Sequence, residues 1–215
     1  MIRPGTHTIV HLVRHGEVDN PTGVLYGRLP GFHLSGRGRA DADRAAAHLA
    51  ARDVVHVVAS PLTRAQETAA PIAAAHGLEV ASDHRLIESA NVFEGSVLDI
   101  RPRTLLEPSA WRHLYNPFRP SWGEPYADVA ARVLDAVDAA REVAAGHEAV
   151  CVSHQLPVWI TRRRVEGRRL WHRPDRRQCA LGSVTSLHYD GDTLAFVEYA
   201  EPSGRGRKAH GSVGA

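Results

Sequence analysis

The sequence predicts an α/β fold, a three-layer sandwich in which a mostly parallel central sheet carries helices on both faces. Two observations support this prediction. Short apolar or β-branched runs alternate with longer helical segments along most of the 215-residue chain. Near the C-terminus, two strand-like runs flank an Asp-Gly turn, which is typical of an antiparallel hairpin. Strands that alternate with helices are expected to run parallel, and the hairpin adds an antiparallel pair.

The predicted elements follow from the hydrophobic pattern and from its punctuation by Ser, Pro and Gly. The strands are predicted at 8–13, 54–59, 78–81, 149–153, 184–189 and 194–199. The helices are predicted at about 36–51, 60–76, 126–145 and 157–166. Ser35 is a plausible N-cap for the first helix, whose apolar side is predicted near Ala40, Ala47 and Ala51. Gly77, Gly146 and Gly167 are expected to end the other three helices.

These elements suit one domain over residues 8–200, with residues 1–7 as an N-terminal extension. The segment 96–125 interrupts the alternation, because prolines are mixed there with aromatic side chains, and we predict a lid-like insertion over the site. Residues 201–215 are rich in Gly, Ser and basic residues and are predicted to form a flexible C-terminal tail.

Composition limits the classes of partner. The net charge of +2 is too small to indicate nucleic acid, and no apolar stretch approaches the roughly 20 residues of a membrane span. The N-terminus has no signal-peptide pattern and the chain has two cysteines, so we expect a cytoplasmic protein without disulfides. A dense run of arginines at 162–177 either binds an anionic polymer or membrane or is a solvated face; the second interpretation is favoured.

Three features of the sequence indicate chemistry. Arg14 and His15 follow the first predicted strand, and His154 follows the strand 149–153 in the same way. Open α/β sheets bind ligands at the carboxyl ends of their strands, so we expect the two histidines to meet there. Arg64 lies in the first turn of the helix after the second strand, where the helix dipole also favours an anion. Each residue taken alone is more often structural, but together they form a site.

This set suits phosphoryl transfer through a histidine adduct. Guanidinium matches phosphate oxygens in a bidentate fork, and neutral imidazole is a good nucleophile. Glu88 follows Arg85-Leu86-Ile87, and a carboxylic acid in such surroundings donates a proton at neutral pH when its pKa is raised. We therefore expect no metal and no cofactor, because cationic side chains neutralise the phosphoryl charge.

Four segments carry a family resemblance: 12–17, 60–69, 85–88 and 152–154. They resemble, in order and spacing, the motifs of the histidine phosphatase superfamily, also called phosphoglycerate mutase-like. The resemblance covers about residues 8–199. It implies His15 as the nucleophile, Arg14, Arg64 and His154 as phosphate ligands, and Glu88 as the acid and base.

The sequence also departs from the family pattern. Val18 stands where the family usually has Ser or Thr, and Asn20 comes one residue earlier than expected. Gln155 replaces a glycine that often follows the second histidine, and Arg28 lies in a loop where family members contact substrate. We therefore name Asn20, Arg28 and Gln155 as candidate substrate-binding residues, with a salt bridge as the equal alternative for Arg28.

Three functions remain open from the sequence. The leading one is a metal-independent phosphomonoester hydrolase that acts on a small phosphorylated metabolite through a phosphohistidine. The second is a phosphotransferase of the phosphoglycerate mutase type, and the third is a non-catalytic module that binds a phosphorylated ligand. A small phosphomonoester is the expected partner, with no nucleic acid and no membrane, and a homodimer is an expectation drawn from the resemblance.

Overall fold

The computed structural model describes residues 5–96 and 123–204. Six strands form one sheet: β1 (His7–Arg14), β2 (Val54–Ala59), β3 (Val80–Ser82), β4 (Glu148–Ser153), β5 (Val184–Asp190) and β6 (Thr193–Ala200). Four α-helices accompany it: α1 (Gly36–Leu49), α2 (Thr63–Ala75), α3 (Tyr126–Val143) and α4 (Gln155–Val165).

The sheet has the strand order β3-β2-β4-β1-β5-β6. The four strands from β3 to β1 are parallel, whereas β5 pairs antiparallel with β1 and with β6. The predicted mostly parallel sheet and the C-terminal hairpin are therefore confirmed. Gly191 adopts a positive φ of 57° in the turn that joins β5 to β6, a conformation that glycine reaches without a steric penalty.

Helices cover both faces of the sheet, which confirms the three-layer sandwich. On one face, α1 and α2 pack through Ala45, Leu49, Ala69 and Ile72 onto side chains of the central strands. On the other face, α3 and α4 pack onto Leu12 and Cys151 and their neighbours. Alternate residues of β1 and β4 serve the two faces, as expected when side chains point in opposite directions along a strand. Cys151 and Cys179 are both buried and free.

The predicted apolar side of α1 is wrong. Ala47 and Ala51 are exposed and Ala40 is half-buried. The buried side consists instead of Gly38, Asp41, Ala42, Ala45, Ala46 and Leu49. Alanine recurs on all sides of this helix, so the pattern gives little contrast, and contact with α2 and the sheet selects the face. The predicted N-cap is confirmed, because the Ser35 hydroxyl accepts a hydrogen bond from the Gly38 amide at 3.0 Å.

Two other helices begin at different residues from those predicted. Helix α2 begins at Thr63, after Pro61, and α4 begins at Gln155, two residues before Pro157. Proline is tolerated within the first turn of a helix because the amide that it lacks has no partner there. Because α4 begins earlier than predicted, its first residue, Gln155, follows His154 directly.

The carboxyl ends of β1, β2 and β4 meet at one edge of the sheet. The His15 amide donates to the Ser153 carbonyl at 3.0 Å, and the Ser60 amide donates to the Val152 carbonyl at 2.9 Å. The turn after β1 then presses against α1, since a Cβ atom on Gly16 would overlap the carbonyl oxygen of Gly38. This close contact requires glycine and fixes the path of the chain directly after His15.

The predicted lid at 96–125 lies mostly outside the described residues, which end at Ser96 and resume at Gly123. Of the predicted tail, residues 205–215 also lie outside them. The Ser203 hydroxyl donates to the Leu181 carbonyl at 2.9 Å, so the chain still contacts the domain after β6. Among the helices of the described ranges, none is long and apolar enough to cross a membrane.

Candidate active site

His15 is fully buried at the end of β1. Its Nδ1 lies 2.7 Å from the carbonyl oxygen of Gly16. A carbonyl oxygen only accepts hydrogen bonds, so Nδ1 carries the proton and Nε2 is left with its lone pair. Within the described residues, Nε2 has no hydrogen-bond partner. Burial, together with Arg64 and Arg14, lowers the pKa of His15 well below its ordinary value, so the ring is neutral at physiological pH.

Arg14 and Arg64 bring two buried positive charges to the same place. Arg14 donates from Nη1 to the Cys179 carbonyl at 2.7 Å, and Arg64 donates from Nη2 to the Gly27 carbonyl at 2.6 Å. The Arg64 guanidinium also stacks over the ring of Tyr26, with its Cζ 4.7 Å from the centroid. Both Nε atoms are buried without a partner among the described residues. Unneutralised buried charges are costly, so this arrangement is suited to an anion.

His154 lies at the end of β4, and its ring centroid is 5.1 Å from that of His15. Its Nε2 lies 2.8 Å from the hydroxyl of Ser60, which follows β2. That hydroxyl accepts from the Leu62 amide at 3.4 Å, and we assign its own proton to the hydrogen bond with Nε2. The proton of the neutral ring then lies on Nδ1, which has no partner in the described part of the chain. Burial, then Arg64, lowers the pKa of His154 well below its ordinary value.

Glu88 follows the short 3₁₀ turn His84–Leu86 and is 2% exposed. Its Oε1 accepts from the amide of Ser89 at 2.8 Å, whereas Oε2 has no partner within the described residues. Burial raises the pKa of this carboxyl group, although the Ser89 amide and the nearby Arg64 oppose the shift. The neutral acid is therefore favoured, as a proton donor requires.

Each of these five residues has a buried polar atom without a hydrogen-bond partner in the described ranges; six other described residues also have one, but these five lie together. The atoms are Arg14 Nε, His15 Nε2, Arg64 Nε, Glu88 Oε2 and His154 Nδ1. Buried polar atoms are nearly always hydrogen-bonded, and a cluster of exceptions indicates a ligand. Two cationic donors, one imidazole donor, one bare imidazole nitrogen and one carboxylic acid match a phosphate monoester. Sequence analysis named all five, and the structure brings them together.

Two helices strengthen the positive character of this cluster. Helix α2 begins at Thr63 and α4 at Gln155, and neither N-terminus has a side-chain cap. The unpaired amides of a helix N-terminus carry a partial positive charge. Arg64 lies in the first turn of α2, and His154 immediately precedes α4, so both helices begin beside the cluster.

The three candidate substrate-binding residues have other partners in the structure. Both polar ends of the Asn20 amide bond the backbone of Val24, at 2.8 and 3.1 Å. Arg28 donates to the Glu88 carbonyl at 2.6 Å and pairs with Glu124 at 2.8 Å, so the salt-bridge alternative applies. A substrate contact by Asn20 or Arg28 stays a prediction.

Gln155, the third candidate, receives a hydrogen bond from Arg177 at 3.1 Å. Sequence reasoning grouped Arg177 with a solvated basic segment and missed its place beside Glu88, with which it shares a cavity. It also missed Ser60 as the partner of His154. The signal for Ser60 was available, because Ser60 follows a buried parallel strand just as His15 and His154 do.

Comparison with known proteins gives a consistent result. Residues 10–202 match the model of the histidine phosphatase superfamily, branch 1. The uncharacterized protein Rv0525 of Mycobacterium tuberculosis is 63% identical over 196 residues, covering 91% of this chain and 97% of that protein. The probable phosphoglycerate mutase GpmB of Yersinia enterocolitica is 35% identical over 154 residues, covering 68% of this chain and 69% of that protein.

Solved structures agree with this result. YhfR of Bacillus stearothermophilus superposes with a TM-score of 0.73 at 28% identity, over 87% of this chain and 94% of that chain. The complex of mycobacterial glucosyl-3-phosphoglycerate phosphatase with VO3 superposes with a TM-score of 0.67 at 25% identity, over 89% of this chain and 96% of that chain. The similar proteins thus include both a phosphatase and a protein named as a mutase.

Proposed function

Because this chain belongs to the histidine phosphatase superfamily, we propose that it hydrolyses a small phosphomonoester without a metal, through a phosphohistidine on His15. The observation that carries the proposal is the state of the His15 ring. Its single proton is held on Nδ1 by the Gly16 carbonyl, so a bare and buried Nε2 is available as nucleophile. Buried polar atoms are usually hydrogen-bonded, and this nitrogen lies together with the unpartnered Nε atoms of Arg14 and Arg64.

In the first step, Nε2 of His15 attacks phosphorus and the bond from phosphorus to the ester oxygen breaks. Arg14 and Arg64 donate from Nε to the phosphoryl oxygens, and His154 donates from Nδ1. Such preorganised donors, acting in a buried site, supply much of the rate enhancement of an enzyme. Glu88 gives its Oε2 proton to the departing alkoxide, which leaves as an alcohol. The raised pKa of Glu88 supports this role.

In the second step, the Glu88 carboxylate removes a proton from a water molecule. The resulting hydroxide attacks phosphorus, the bond between phosphorus and Nε2 breaks, and inorganic phosphate leaves. His15 is again neutral with a bare Nε2, and Glu88 is again protonated. Division of one displacement into two gives each step a better nucleophile or a better leaving group.

The test is phosphate release from a panel of phosphomonoesters in the presence of EDTA. Wild-type protein is compared with His15→Ala and with His48→Ala, a matched control in which an exposed histidine of α1 is removed. We expect release by wild type and by the control, and none by His15→Ala. Acid-labile, base-stable ³²P on wild-type protein, absent from His15→Ala, would identify the phosphohistidine. Release that survives in His15→Ala or stops in EDTA would contradict the proposal.

A phosphotransferase of the mutase type is the second candidate, supported by the likeness to the protein named as a phosphoglycerate mutase. The two functions differ in the acceptor of the phosphoryl group: water in one, a substrate hydroxyl in the other. Incubation of 3-phosphoglycerate with a bisphosphate primer would give the 2-phospho isomer if the protein is a mutase, and inorganic phosphate if it is a phosphatase. A non-catalytic binding module would give neither product and no phosphoprotein. The cytoplasmic location, the homodimer and the lack of a cofactor stay predictions.

A further inference from the structure

We propose that Arg177 binds a second anionic group of the substrate, so that the natural ligand is a phosphomonoester with a carboxylate or second phosphate on its leaving group. The inference rests on the proposed function, because it concerns the same site. It starts from a difference within the basic segment 162–177: Arg173 and Arg176 are exposed, whereas Arg177 points into the cavity beside Glu88.

The orientation of Arg177 is held by two hydrogen bonds. Its Nε–H donates to Nε2 of His172 at 2.9 Å, and its Nη1 donates to the Gln155 side chain at 3.1 Å. Nδ1 of His172 lies 2.7 Å from the Leu170 carbonyl, which fixes the ring proton there and leaves Nε2 as an acceptor. These bonds use two of the five guanidinium N–H groups, and the described residues offer no partner to Nη2. Both N–H groups of Nη2 therefore remain available for an anion.

His172 is suited to this supporting role. Its ring lies between Tyr126 and Trp159, with centroid distances of 5.5 and 5.9 Å. Burial lowers the pKa of His172 to about 4, so the ring stays neutral and remains an acceptor at physiological pH. A protonated His172 would instead repel Arg177. The support is therefore rigid and constant over the pH range in which a cytoplasmic enzyme works.

The position of the cavity indicates which part of the substrate Arg177 meets. The cavity is lined by Glu88, Ser89, Tyr126, Leu156 and Arg177, among others, but not by His15, Arg14 or Arg64. It reaches the catalytic groups at Glu88, which protonates the leaving oxygen in the proposed mechanism. The group that fills the cavity is therefore the leaving group, and Arg177 faces that group rather than the phosphoryl group.

The charge balance of the cavity favours an anion. Its second carboxylate, Glu124, is paired with Arg28 at 2.8 Å and with Arg132 at 2.7 Å. Burial raises the pKa of Glu88, which shifts this carboxyl group towards its neutral acid. Arg177 is thus the cationic residue in the lining of the cavity. Within the described residues it forms no ion pair with a carboxylate. A leaving group with its own negative charge would supply the missing counter-charge.

The test measures binding, so that it does not depend on turnover. Dissociation constants are determined by calorimetry for 3-phosphoglycerate, glycerol 1,3-bisphosphate and glycerol 3-phosphate, the last of which has a neutral end. The proteins are His15→Ala and the double variants that add Arg177→Met or, as the matched control, Arg176→Met. We expect Arg177→Met to weaken the binding of 3-phosphoglycerate, of glycerol 1,3-bisphosphate or of both roughly 10- to 100-fold. The binding of glycerol 3-phosphate, which has no second anionic group, should weaken less than about 3-fold. The ligand that loses more identifies the second group as carboxylate or phosphate.

A second variant protects the test if Arg177→Met folds poorly. Gln155→Ala keeps Arg177 and removes one of its two hydrogen-bond partners. We expect this variant to reduce the ratio of affinities between a ligand with a second anionic group and glycerol 3-phosphate about 3-fold or more. Equal binding of all three ligands, or an equal loss for all three in Arg177→Met, would overturn the inference. Selective binding without phosphate release by wild type would refute the proposed hydrolase and leave the anion position supported. Phosphate release by wild type, with no preference among the three ligands, would support the proposed hydrolase and overturn the role of Arg177.

Discussion

The unpartnered Nε–H groups of two buried arginines predict that inorganic phosphate stabilises the folded protein. Arg14 and Arg64 each have a buried Nε–H without a partner in the described residues, and a hydrogen bond between charged groups contributes about 1.5–3 kcal/mol. Phosphate at 100 times its dissociation constant adds about 2.7 kcal/mol to the free energy of unfolding. A chain of this size gains about 2–4 °C in Tm per kcal/mol, so we expect a rise of about 5–11 °C.

Arg64→Met tests this reasoning. Loss of one charged hydrogen bond weakens phosphate binding roughly 100-fold, so the same phosphate concentration then adds only about 0.4 kcal/mol. The expected rise in Tm falls to about 1–2 °C. The variant also loses the bond to the Gly27 carbonyl and the contact with Tyr26, so its Tm without phosphate will differ from that of wild type. The quantity compared is therefore the increment that phosphate produces in each protein.

The assay is thermal unfolding followed by circular dichroism at several phosphate concentrations and constant ionic strength. Arg39→Met is the matched control, because Arg39 is exposed on α1 and its loss should leave the full phosphate increment. The reasoning would be refuted if Arg64→Met kept the wild-type increment, or if Arg39→Met lost as much as Arg64→Met.

Two further predictions concern protons. Glu88→Gln should lower kcat/KM for an alkyl phosphate about 10²- to 10⁴-fold but that for p-nitrophenyl phosphate far less, because kcat/KM reports only the first step and p-nitrophenolate leaves without a proton. Equal losses of kcat/KM with both substrates would argue against a general acid. His15 and His154 have lowered pKa values in the folded protein, so the unfolded chain binds more protons below pH 6.5. Urea unfolding should therefore show a stability that decreases as the pH is lowered, by up to about 1.4 kcal/mol per pH unit for each histidine, and His15→Gln should reduce that slope. The raised pKa of Glu88 acts in the opposite direction and offsets part of this slope, so a slope that His15→Gln leaves unchanged would contradict this account.

The sheet and three of the central residues, Arg14, His15 and His154, could be predicted because each depends on local sequence, whereas Arg64 and Glu88 depended on the motif resemblance of 60–69 and 85–88. A β-branched run that ends in a polar residue is visible in the sequence, and parallel strands bring such ends together whatever lies between them. The face of α1 could not be predicted in the same way. Its alanines are similar on every side, and the choice between Ala45 and Ala47 for burial is made by α2 and the sheet, which are distant in sequence.

Arg177 shows a second limit of sequence reasoning. Among eight arginines between 162 and 177, nothing local distinguishes the one that turns inward. Its partners are Gln155, 22 residues away, and His172, whose acceptor nitrogen depends on a bond to the Leu170 carbonyl. The inward position of Arg177 becomes visible only in the structure, where the loop after α4 packs against the start of that helix.

The hydrogen bond from His15 to the Gly16 carbonyl also has a consequence for how this enzyme tolerates mutation. In a serine protease triad a carboxylate side chain orients the histidine, and one substitution removes it. Here the orienting group belongs to the main chain, so no substitution deletes it. Only a change in backbone path moves it, and the contact between Gly16 and Gly38 opposes such a change. A random mutational scan should therefore find the orientation of the His15 ring vulnerable at these two glycines, neither of which has a side chain that contacts the ring.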